Sequence, residues 1–439
     1  MNHAKTTALI LWVVLVFIFV PGGIAIAAET EDQLRLLQQQ NEALQRQLNQ
    51  QQKTIDALVR QVREIQNSNA NSSEESAPAQ DDFERKSASG FSLGKVQISG
   101  EGGVGLFETG SNGRFPNSEF RVDEAKLFVD APVWGNVYGF AELNLAQQEG
   151  DDVTLELGEL YLDVEDISEL WGRSGQLSLR LGRLDIPFGE EYQWRDDIDN
   201  PLISHSLTDF WGVDEGVELY GSAGKFSYVV AAQNGGLSDV RDFNADKSIS
   251  GRLSFDPKPW LHLSVSGMRT GDLSRHGDKL SALWFAGGFF HSIGSAETKT
   301  FHANLAQADI EFRLPRGNIK TFGGYIRYDD NDPSANNGRD IYYYSVEGIY
   351  NFTRKLYGGA RFSQIFARKG FPIVGNGEMD HYLFNNLTDG LWRCSVGLGY
   401  RWNSHLVVKT EYSFEQGKEV GGAKRDHQDM VATEAAFGF

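Results

Sequence analysis

Strict alternation of apolar and polar residues dominates the chain from residue 91 onward. In Trp392–Trp402, Trp, Cys, Val, Leu and Tyr alternate with Arg, Ser and Gly, and Leu406–Phe414 and Ile249–Phe255 repeat the pattern. A period of two places successive side chains on opposite faces of a β-strand. The polar face carries Arg, Lys and Glu, which is typical of a barrel with lipid outside and water inside. A soluble β-sandwich is the alternative that shares the alternation.

The connections between these segments predict sixteen strands. Seven short turns are expected at 131–136, 168–175, 221–225, 256–260, 315–318, 353–355 and 403–405. Eight longer loops are expected at 108–118, 148–152, 186–213, 235–246, 271–300, 330–338, 368–388 and 417–427. An even strand number with short turns at one end is the pattern of outer-membrane barrels. Two further strands within 271–300 would make eighteen, which is the alternative.

Tryptophan placement agrees with this arrangement. Trp134, Trp171, Trp260 and Trp402 lie at the short turns, where an aromatic belt meets the membrane interface. We therefore predict an all-β fold, a 16-stranded antiparallel transmembrane β-barrel preceded by a short α-helical coiled coil.

The first ninety residues predict three further segments. Residues 1–28 have the charged start, thirteen-residue apolar core and small-residue exit of a signal peptide, with an uncleaved anchor as the alternative. Residues 29–66 carry apolar positions spaced alternately by three and four, which predicts a periplasmic coiled coil. A lone amphipathic helix on a membrane is the alternative there. Residues 67–90 are a polar linker, and 91–439 form the barrel.

Composition and charge exclude several classes of protein. The chain has 48 Gly and 12% aromatic residues, and its net charge of −19 argues against nucleic-acid binding. The mean hydropathy of −0.38 excludes a bundle of membrane-spanning helices. The single cysteine, Cys394, excludes a disulfide framework and a paired-cysteine metal site.

The sequence predicts neither catalysis nor a bound cofactor or metal. Gly100, Gly102 and Gly105 match a dinucleotide-binding spacing, but they lie in a strand-like stretch that opens no helix. Glycines there are better explained by a strand that bends or by a loop that approaches it. The histidines show no metal-ligand spacing. A hydrolase built on Ser264 or Ser266 beside His262 is the enzymatic alternative.

Several segments carry a resemblance to a known family. They are FRVDEAKLFVDAPVWGNVYGFAELNLA (120–146), ELYLDV (159–164), LRLGRLDIPFGEEY (179–192) and GVELYG (216–221). With them the chain resembles the phosphate-selective porin O and P family. The resemblance implies a trimeric, sixteen-stranded outer-membrane porin whose third loop begins near Gly182–Gly189. That family uses a dense lumenal ladder of Arg and Lys. This sequence departs from it, because acidic residues outnumber basic ones within 91–439.

Charged residues on the polar face are the candidate selectivity groups. The alternation directs seven basic residues into the lumen: Arg180, Arg252, Arg327, Arg361, Arg393, Arg401 and Lys409. It directs six acidic residues inward from the first strands: Glu101, Asp123, Glu124, Glu142, Glu159 and Asp163. Separate basic and acidic sectors would create a transverse field across the pore. Local pairing that cancels the charges is the alternative.

Loop 186–213 is the candidate constriction. Its charged residues are Glu190, Glu191, Arg195, Asp196, Asp197, Asp199 and Asp209, which together give −5. Its Pro, Trp and Leu residues favour a loop that folds inward and packs, and a solvated outer loop is the alternative.

These observations predict an outer-membrane porin in a Gram-negative bacterium, with its coiled coil in the periplasm. It would pass small hydrophilic solutes by passive diffusion, with phosphate-like or dicarboxylate anions as candidates. The alternative is a structural anchor whose periplasmic coiled coil tethers the envelope. Expected partners are two further copies in a homotrimer, outer-membrane lipid and lipopolysaccharide, and the barrel-assembly machinery, which would read the terminal Phe439. Peptidoglycan is a further candidate partner, and nucleic acid is not.

Overall fold

The computed structural model describes residues 91–93, 95–146, 155–235, 245–274, 300–330 and 337–439. The signal peptide, coiled coil and linker predicted from the sequence lie outside the described residues. No helix in the described ranges is long and apolar enough to cross a membrane.

Sixteen long antiparallel strands follow one another around a single sheet. They are β1 (Val96–Thr109), β2 (Glu119–Trp134), β3 (Val137–Ala146), β4 (Glu156–Val164), β5 (Ser178–Asp185), β6 (Val213–Ala223), β7 (Phe226–Gln233), β8 (Ser248–Lys258), β9 (Leu261–Arg269), β10 (Thr300–Leu314), β11 (Gly317–Asp330), β12 (Arg339–Asn351), β13 (Leu356–Phe371), β14 (Thr388–Asn403), β15 (Leu406–Glu419) and β16 (Met430–Gly438). Short strands at Phe91–Leu93, Leu273–Ser274 and Lys424–Arg425 extend the pairing of β1, β10 and β15. The described helical segments are single turns at Ile167–Trp171, Glu191–Trp194 and His381–Asn385.

The sheet closes on itself, which confirms the barrel. Strand β16 pairs with β1 from Met430 opposite Thr109 to Gly438 opposite Glu101. Beyond the last strand, the Phe439 amide donates a hydrogen bond of 2.8 Å to the Gly100 carbonyl. Strand β9 pairs directly with β10 along its whole length. This pairing leaves no place for two extra strands between them, so the eighteen-stranded alternative is wrong.

The outer face of the barrel is apolar. Exposed side chains follow the strands in alternate positions, among them Leu160 on β4, Val217 on β6 and Val396 on β14. At the short-turn end, Trp134, Trp171, Trp260 and Trp402 are all more than half exposed. Exposed apolar side chains around a closed barrel with aromatic residues at its rim are the arrangement of a membrane-spanning barrel.

The inner face is polar along some strands and apolar along others. On β15 the inward positions are Lys409, Glu411, Ser413 and Glu415, as the alternation predicts. On β10 to β13 the inward positions at the long-loop end are apolar: Phe301, Ala303, Leu305, Phe322, Ile326, Tyr328, Ile341, Tyr343, Ile365 and Ala367. The predicted polar inner face is therefore wrong for the long-loop ends of these four strands, where another element must cover the apolar inner surface.

A β-bulge changes which side chains face inward on β2. Gly103 on β1 lies opposite Glu124, whereas the next residue, Val104, lies opposite Val122. Asp123 is the extra residue of the bulge, so Asp123 and Glu124 are both buried on the inner face. The bulge thus places both carboxylates inside the barrel, as predicted, whereas a strand without a bulge would turn one of them outward.

Candidate constriction site

The segment 186–212 between β5 and β6, called the inner loop below, folds into the barrel. Phe188, Leu202 and Ile203 are at most 2% exposed. Glycines on the wall make room for it. A methyl group added at Gly397 would lie 2.7 Å from the Leu202 side chain, and one at Gly103 would overlap the Asp197 carboxylate. The sequence analysis named Gly100, Gly102 and Gly105 for such an approach, and the loop instead lies against their neighbour Gly103.

Apolar residues at both ends of the inner loop cover the apolar wall. Ile186 and Phe188 at its start, and Leu207 and Phe210 near its end, belong to one buried cluster with the inward residues of β10 to β13. The rings of Phe188 and Phe210 meet edge to face at 5.2 Å between centroids. This packing explains why the inner faces of those four strands are apolar at their long-loop ends.

The middle of the inner loop is held by charged side chains of the opposite wall. Glu411 on β15 accepts hydrogen bonds from the amides of Ile203 (2.6 Å) and Ser204 (2.8 Å) and from the Ser204 hydroxyl (2.5 Å). Arg361 on β13 donates to the Ser204 carbonyl (2.5 Å) and to the Asn200 side chain (3.0 Å). The anionic side chain satisfies loop amides and the cationic one satisfies a loop carbonyl, so buried backbone groups keep partners.

Three more of the basic residues predicted to line the pore also bind carbonyl groups of the inner loop. Lys409 donates to the carbonyls of Asp197 (2.6 Å) and Leu202 (3.1 Å). Arg252 donates to the Gly189 carbonyl at 2.7 Å, and Arg393 donates to that of His205 at 3.2 Å. These side chains point inward as predicted, but in the structure they anchor the loop.

The inward-facing cations also form ion pairs with wall carboxylates. Arg361 pairs with Glu347 (2.7 Å), Arg393 with Glu415 (2.7 Å), Lys409 with Glu434 (2.9 Å), and Arg180 with Asp163 and Glu218 (3.1 Å each). Arg252 lies 4.0 Å from Glu190. The geometry therefore matches local pairing of charges rather than a basic sector facing an acidic one.

Arg327 does not face the lumen, so its predicted placement is wrong. On β11 the buried inward side chains are Phe322, Ile326 and Tyr328, which leaves Arg327 on the outer face. There it pairs with Asp340 at 2.9 Å. The physical reason is the inner loop, because its apolar ends favour apolar residues on the inner face of this strand. Arg401, in contrast, lies on the inner face of β14, with its guanidinium 4.1 Å from the ring centre of Tyr357.

The charged residues of the inner loop have different surroundings. Glu190 lies 2.7 Å from His262 on β9, and Glu191 accepts from the Ser206 amide at 2.9 Å. Asp196 pairs with Lys126 on β2, and Asp197 is buried against Gly103. Asp199 alone of the predicted set is exposed.

An arginine and a histidine stabilise the negative charge of Asp209. Arg195 and His205 each lie 3.1 Å from the same Asp209 oxygen. Burial alone would raise the pKa of the Asp209 carboxyl, but these two neighbours hold it well below its usual range. Burial and the charge of Asp209 raise the pKa of Glu191 above its ordinary value. Arg195 also stacks on Trp211 with 4.5 Å to the ring centre.

Two cavities lie inside the barrel on opposite sides of the inner loop. One, of about 180 Å³, faces the long-loop end and is lined by Phe115, His205, Trp211 and Arg393 among others. The other, of about 280 Å³, faces the short-turn end and is lined by Tyr228, Arg313 and Lys320 among others. The inner loop therefore lies between these two cavities, which is the position of a constriction.

Sequence reasoning missed the carboxylates that hold the loop and a second inward segment. Glu347, Glu411, Glu415 and Glu434 share the inward register of the predicted cations, so the alternation already contained the signal for them. Residues 372–377 were predicted only as part of a long loop. In the structure the Asn376 amide donates to Glu415 at 2.9 Å, and Arg425 donates to the Val374 carbonyl at 2.6 Å.

Comparison with known proteins identifies the fold. No protein-family pattern and no curated protein sequence matches the chain. Among solved structures, OmpT folded in vitro, an outer membrane protein of Vibrio cholerae, is similar with a TM-score of 0.52, 14% identity, 80% coverage of this chain and 100% of that chain. The outer membrane channel DcaP of Acinetobacter baumannii is similar at 0.50, with 13% identity and coverages of 80% and 99%. OprB of Pseudomonas putida is similar at 0.50, with 11% identity and coverages of 78% and 93%. The barrel thus has the fold of these outer-membrane proteins.

Proposed function

We propose that this protein is an outer-membrane porin of a Gram-negative bacterium, through which small hydrophilic solutes diffuse passively. The observation that carries the proposal is the inner loop, which stands between two lumenal cavities inside a closed barrel with an apolar outer face. A sixteen-stranded barrel is wide enough to enclose an aqueous channel. An inward loop narrows such a channel without blocking its two ends.

The selectivity that we propose differs from that of a phosphate ladder. Arg252, Arg361, Arg393 and Lys409 are buried against the inner loop and paired with carboxylates. Charges neutralised in this way contribute little field to a passing ion. We propose weak selectivity that is set by exposed lumenal groups such as Asp199 and Arg401. The anionic solutes suggested by the family resemblance are then one class among several that pass.

We further propose a homotrimer that the barrel-assembly machinery recognises through Phe439. One similar solved structure, of OmpT from Vibrio cholerae, is described as a trimer form. The terminal residue extends the closing seam through its backbone bonds to Gly100. Phe439→Ala would keep those bonds and remove only the ring, so reduced assembly without altered conductance would support a signal carried by the aromatic side chain.

Single-channel recording in planar bilayers tests the main proposal. Purified, folded protein should produce uniform conductance steps, and its reversal potential in a KCl gradient should show a modest ion preference. Liposome swelling with sugars of increasing size would then give the size limit for neutral solutes. Folded protein that produces no steps and admits no sugar would contradict the porin.

The structural anchor remains the second candidate function, and one observation favours it. The inner loop and the inward residues of β10 to β13 form a continuous apolar cluster within the lumen, which fills space that a wide pore would leave to water. Absence of conductance, together with loss of envelope integrity when residues 29–66 are deleted, would favour the anchor. Conductance that persists after the same deletion would favour the porin.

A further inference from the structure

Three buried carboxylates meet where the inner loop touches the seam that closes the barrel. Asp123 on β2, Asp197 of the inner loop and Glu434 on β16 each offer one oxygen, and these oxygens lie within 4.8 Å of one another. All three residues are at most 2% exposed. We propose that this triad, named the seam triad, binds a calcium ion that ties the inner loop to the strands of the seam.

Oxygens without hydrogen-bond partners are the second observation that points to a bound cation. Among the described residues, Asp197 Oδ2 and Glu434 Oε2 are buried and have no hydrogen-bond donor. A buried carboxylate oxygen left without a donor is costly, because its lost hydration is not replaced. A metal ion inside the triad would replace that hydration for both oxygens at once.

Basic residues pair with two members of the seam triad but not with the third. Arg121 Nε lies 3.2 Å from Asp123 Oδ1, and Lys409 Nζ lies 2.9 Å from Glu434 Oε1. Asp197 has no ion pair with a basic residue of the described chain. Beside the triad lies a second group of carboxylates, Glu101, Glu124 and Asp196, of which Glu124 and Asp196 pair with Lys126. Among the described residues, Asp197 is therefore the carboxylate of the triad that lacks a basic partner.

The geometry of the oxygens favours a metal ion over a proton. Three carboxylate oxygens lie within 4.8 Å of one another, and a single proton would serve only two of the three side chains.

Calcium fits the donors better than other common ions. All three donors are carboxylate oxygens, which hard cations such as Ca²⁺ and Mg²⁺ prefer, and no nitrogen or sulfur is present to favour zinc or copper. Ca²⁺ binds oxygens at about 2.4 Å, so two of its ligands lie at most about 4.8 Å apart. Mg²⁺ needs a smaller octahedron of about 2.1 Å and usually retains several waters.

The position of the seam triad gives the ion a structural role. Glu434 lies on the last strand and Asp123 on the second, while Gly103 on the first strand lies between them and admits the Asp197 carboxylate. A bound Ca²⁺ would therefore connect β2 and β16 across β1 and fix the inner loop against them. Removing it should loosen the loop on this side only.

The test is calcium titration of the full-length protein, refolded in detergent and stripped with EDTA. Isothermal titration with CaCl2 should show one site per protomer, weakened at least about tenfold in Asp197→Asn and Glu434→Gln because each loses a ligand charge. Asp309→Asn is the matched control. It removes a buried inward carboxylate on β10 that Ser264 and Gln307 already satisfy, and its calcium affinity should equal that of the wild type.

The outcomes separate the proposal from its competitors. Equal affinity in Asp197→Asn and Asp309→Asn would place the ion elsewhere and overturn the seam triad as its site. MgCl2 that binds as tightly as CaCl2 would overturn the assignment to calcium. Wild-type protein that binds neither ion would show that the triad is neutralised by protons, which also overturns the proposal.

A measurement on the wild type alone covers the case in which the variants fail to fold. A ligand that binds only the folded state raises the melting temperature of the protein. CaCl2 should raise the melting temperature above that in EDTA by at least about 2 °C and should slow proteolysis within 190–209. Identical melting and proteolysis in the two buffers would contradict a calcium ion that fixes the loop.

Discussion

The inner loop is held by two walls of opposite character. On one side, the inward faces of β10 to β13 hold it by apolar packing around Phe188 and Phe210. On the other side, from β15 through the seam to β2, charged residues such as Glu411 and Lys409 hold its backbone. Apolar contact has no charge to titrate or to be screened by salt, whereas contact between charges depends on pH and is weakened by salt. The difference indicates that changes of pH or salt should loosen the charged side first. Substitution of buried apolar residues should loosen the apolar side most.

The largest effect is expected from breaking the apolar side. Phe210→Ala removes a ring that packs against Phe188 and lies 5.6 Å from the ring of Tyr343. Truncation of a buried Phe costs about 3–5 kcal/mol, which here falls mainly on loop docking because the strand ladder does not involve this side chain. Single-channel recording should show larger and noisier conductance. Phe366→Ala, which deletes the same atoms from an exposed outer-face position, is the control, and equal conductance in both variants would contradict the docking role.

This apolar side also shows what the sequence could and could not reveal. Alternation and turn spacing predict sixteen strands because each depends on neighbouring residues only. Arg327 was misplaced because the apolar residues of β11 near the long-loop end face inward, and that choice of face depends on a loop more than one hundred positions away. Asp123 and Glu124 were both predicted to face inward, but the bulge that allows it was not, since the alternation of a single strand does not reveal where its partner shifts by one residue.

The constriction itself was partly accessible from sequence. The acidic composition of 186–213, with its Trp and Pro residues, made an inward loop one of two interpretations. The predicted inward cations lie on six strands, and they do face inward on five of them. Their role was not accessible, because the bond between Glu411 and Ile203 joins residues 208 positions apart. A basic residue at an inward strand position has the same sequence pattern whether its side chain faces water or binds a loop carbonyl.

A moderate effect is expected from breaking the charged side. Glu411→Gln removes the charge that accepts hydrogen bonds from two loop amides and one hydroxyl. Hydrogen bonds to charged groups contribute about 1.5–3 kcal/mol, and the amide keeps one acceptor, so a loss of about 2 kcal/mol is expected. Ser204→Ala removes only the hydroxyl and should cost about half as much. Melting temperatures that rank these two variants in the reverse order would show that the backbone amides depend on Glu411 less than the geometry implies.

A smaller effect is expected from pH, measured in EDTA. The pKa of Asp209 is lowered in the folded protein, so its stabilising contribution is present above about pH 3.9 and is lost as pH falls through the lower folded value. The pKa values of Asp197 and Glu191 are raised, so folding takes up protons there and docking should strengthen as pH falls from neutral toward about 4. Melting temperature should therefore rise and then fall on acidification.

Asp209→Asn isolates the acid side of this profile. The variant lacks the carboxyl whose charge Arg195 and His205 stabilise, so it should melt lower at neutral pH and should lose less stability below about pH 3.9. The rise between neutral pH and about 4 should persist but become smaller, because Asp197 is unaffected whereas Glu191 loses the Asp209 charge that helps to raise its pKa. A melting profile parallel to that of the wild type at all pH values would show that Asp209 does not contribute to the pH dependence of stability.

The smallest effect is expected from exposed charge, and Arg401 and Arg327 form a matched pair for it. Arg401 is exposed on the inner face of β14, donates to Asn351 at 3.2 Å and has no ion pair with a carboxylate of the described chain. Arg327 pairs with Asp340 on the outer face. Arg401→Glu should therefore shift the reversal potential toward cations, by about twofold in the permeability ratio, because screening over about 8–10 Å weakens a single exposed charge. Arg327→Glu should leave the potential unchanged, although both variants alter the net charge equally. The shift should shrink as salt rises, and an equal shift in both variants would mean that long-range charge, rather than the lumenal wall, sets the selectivity.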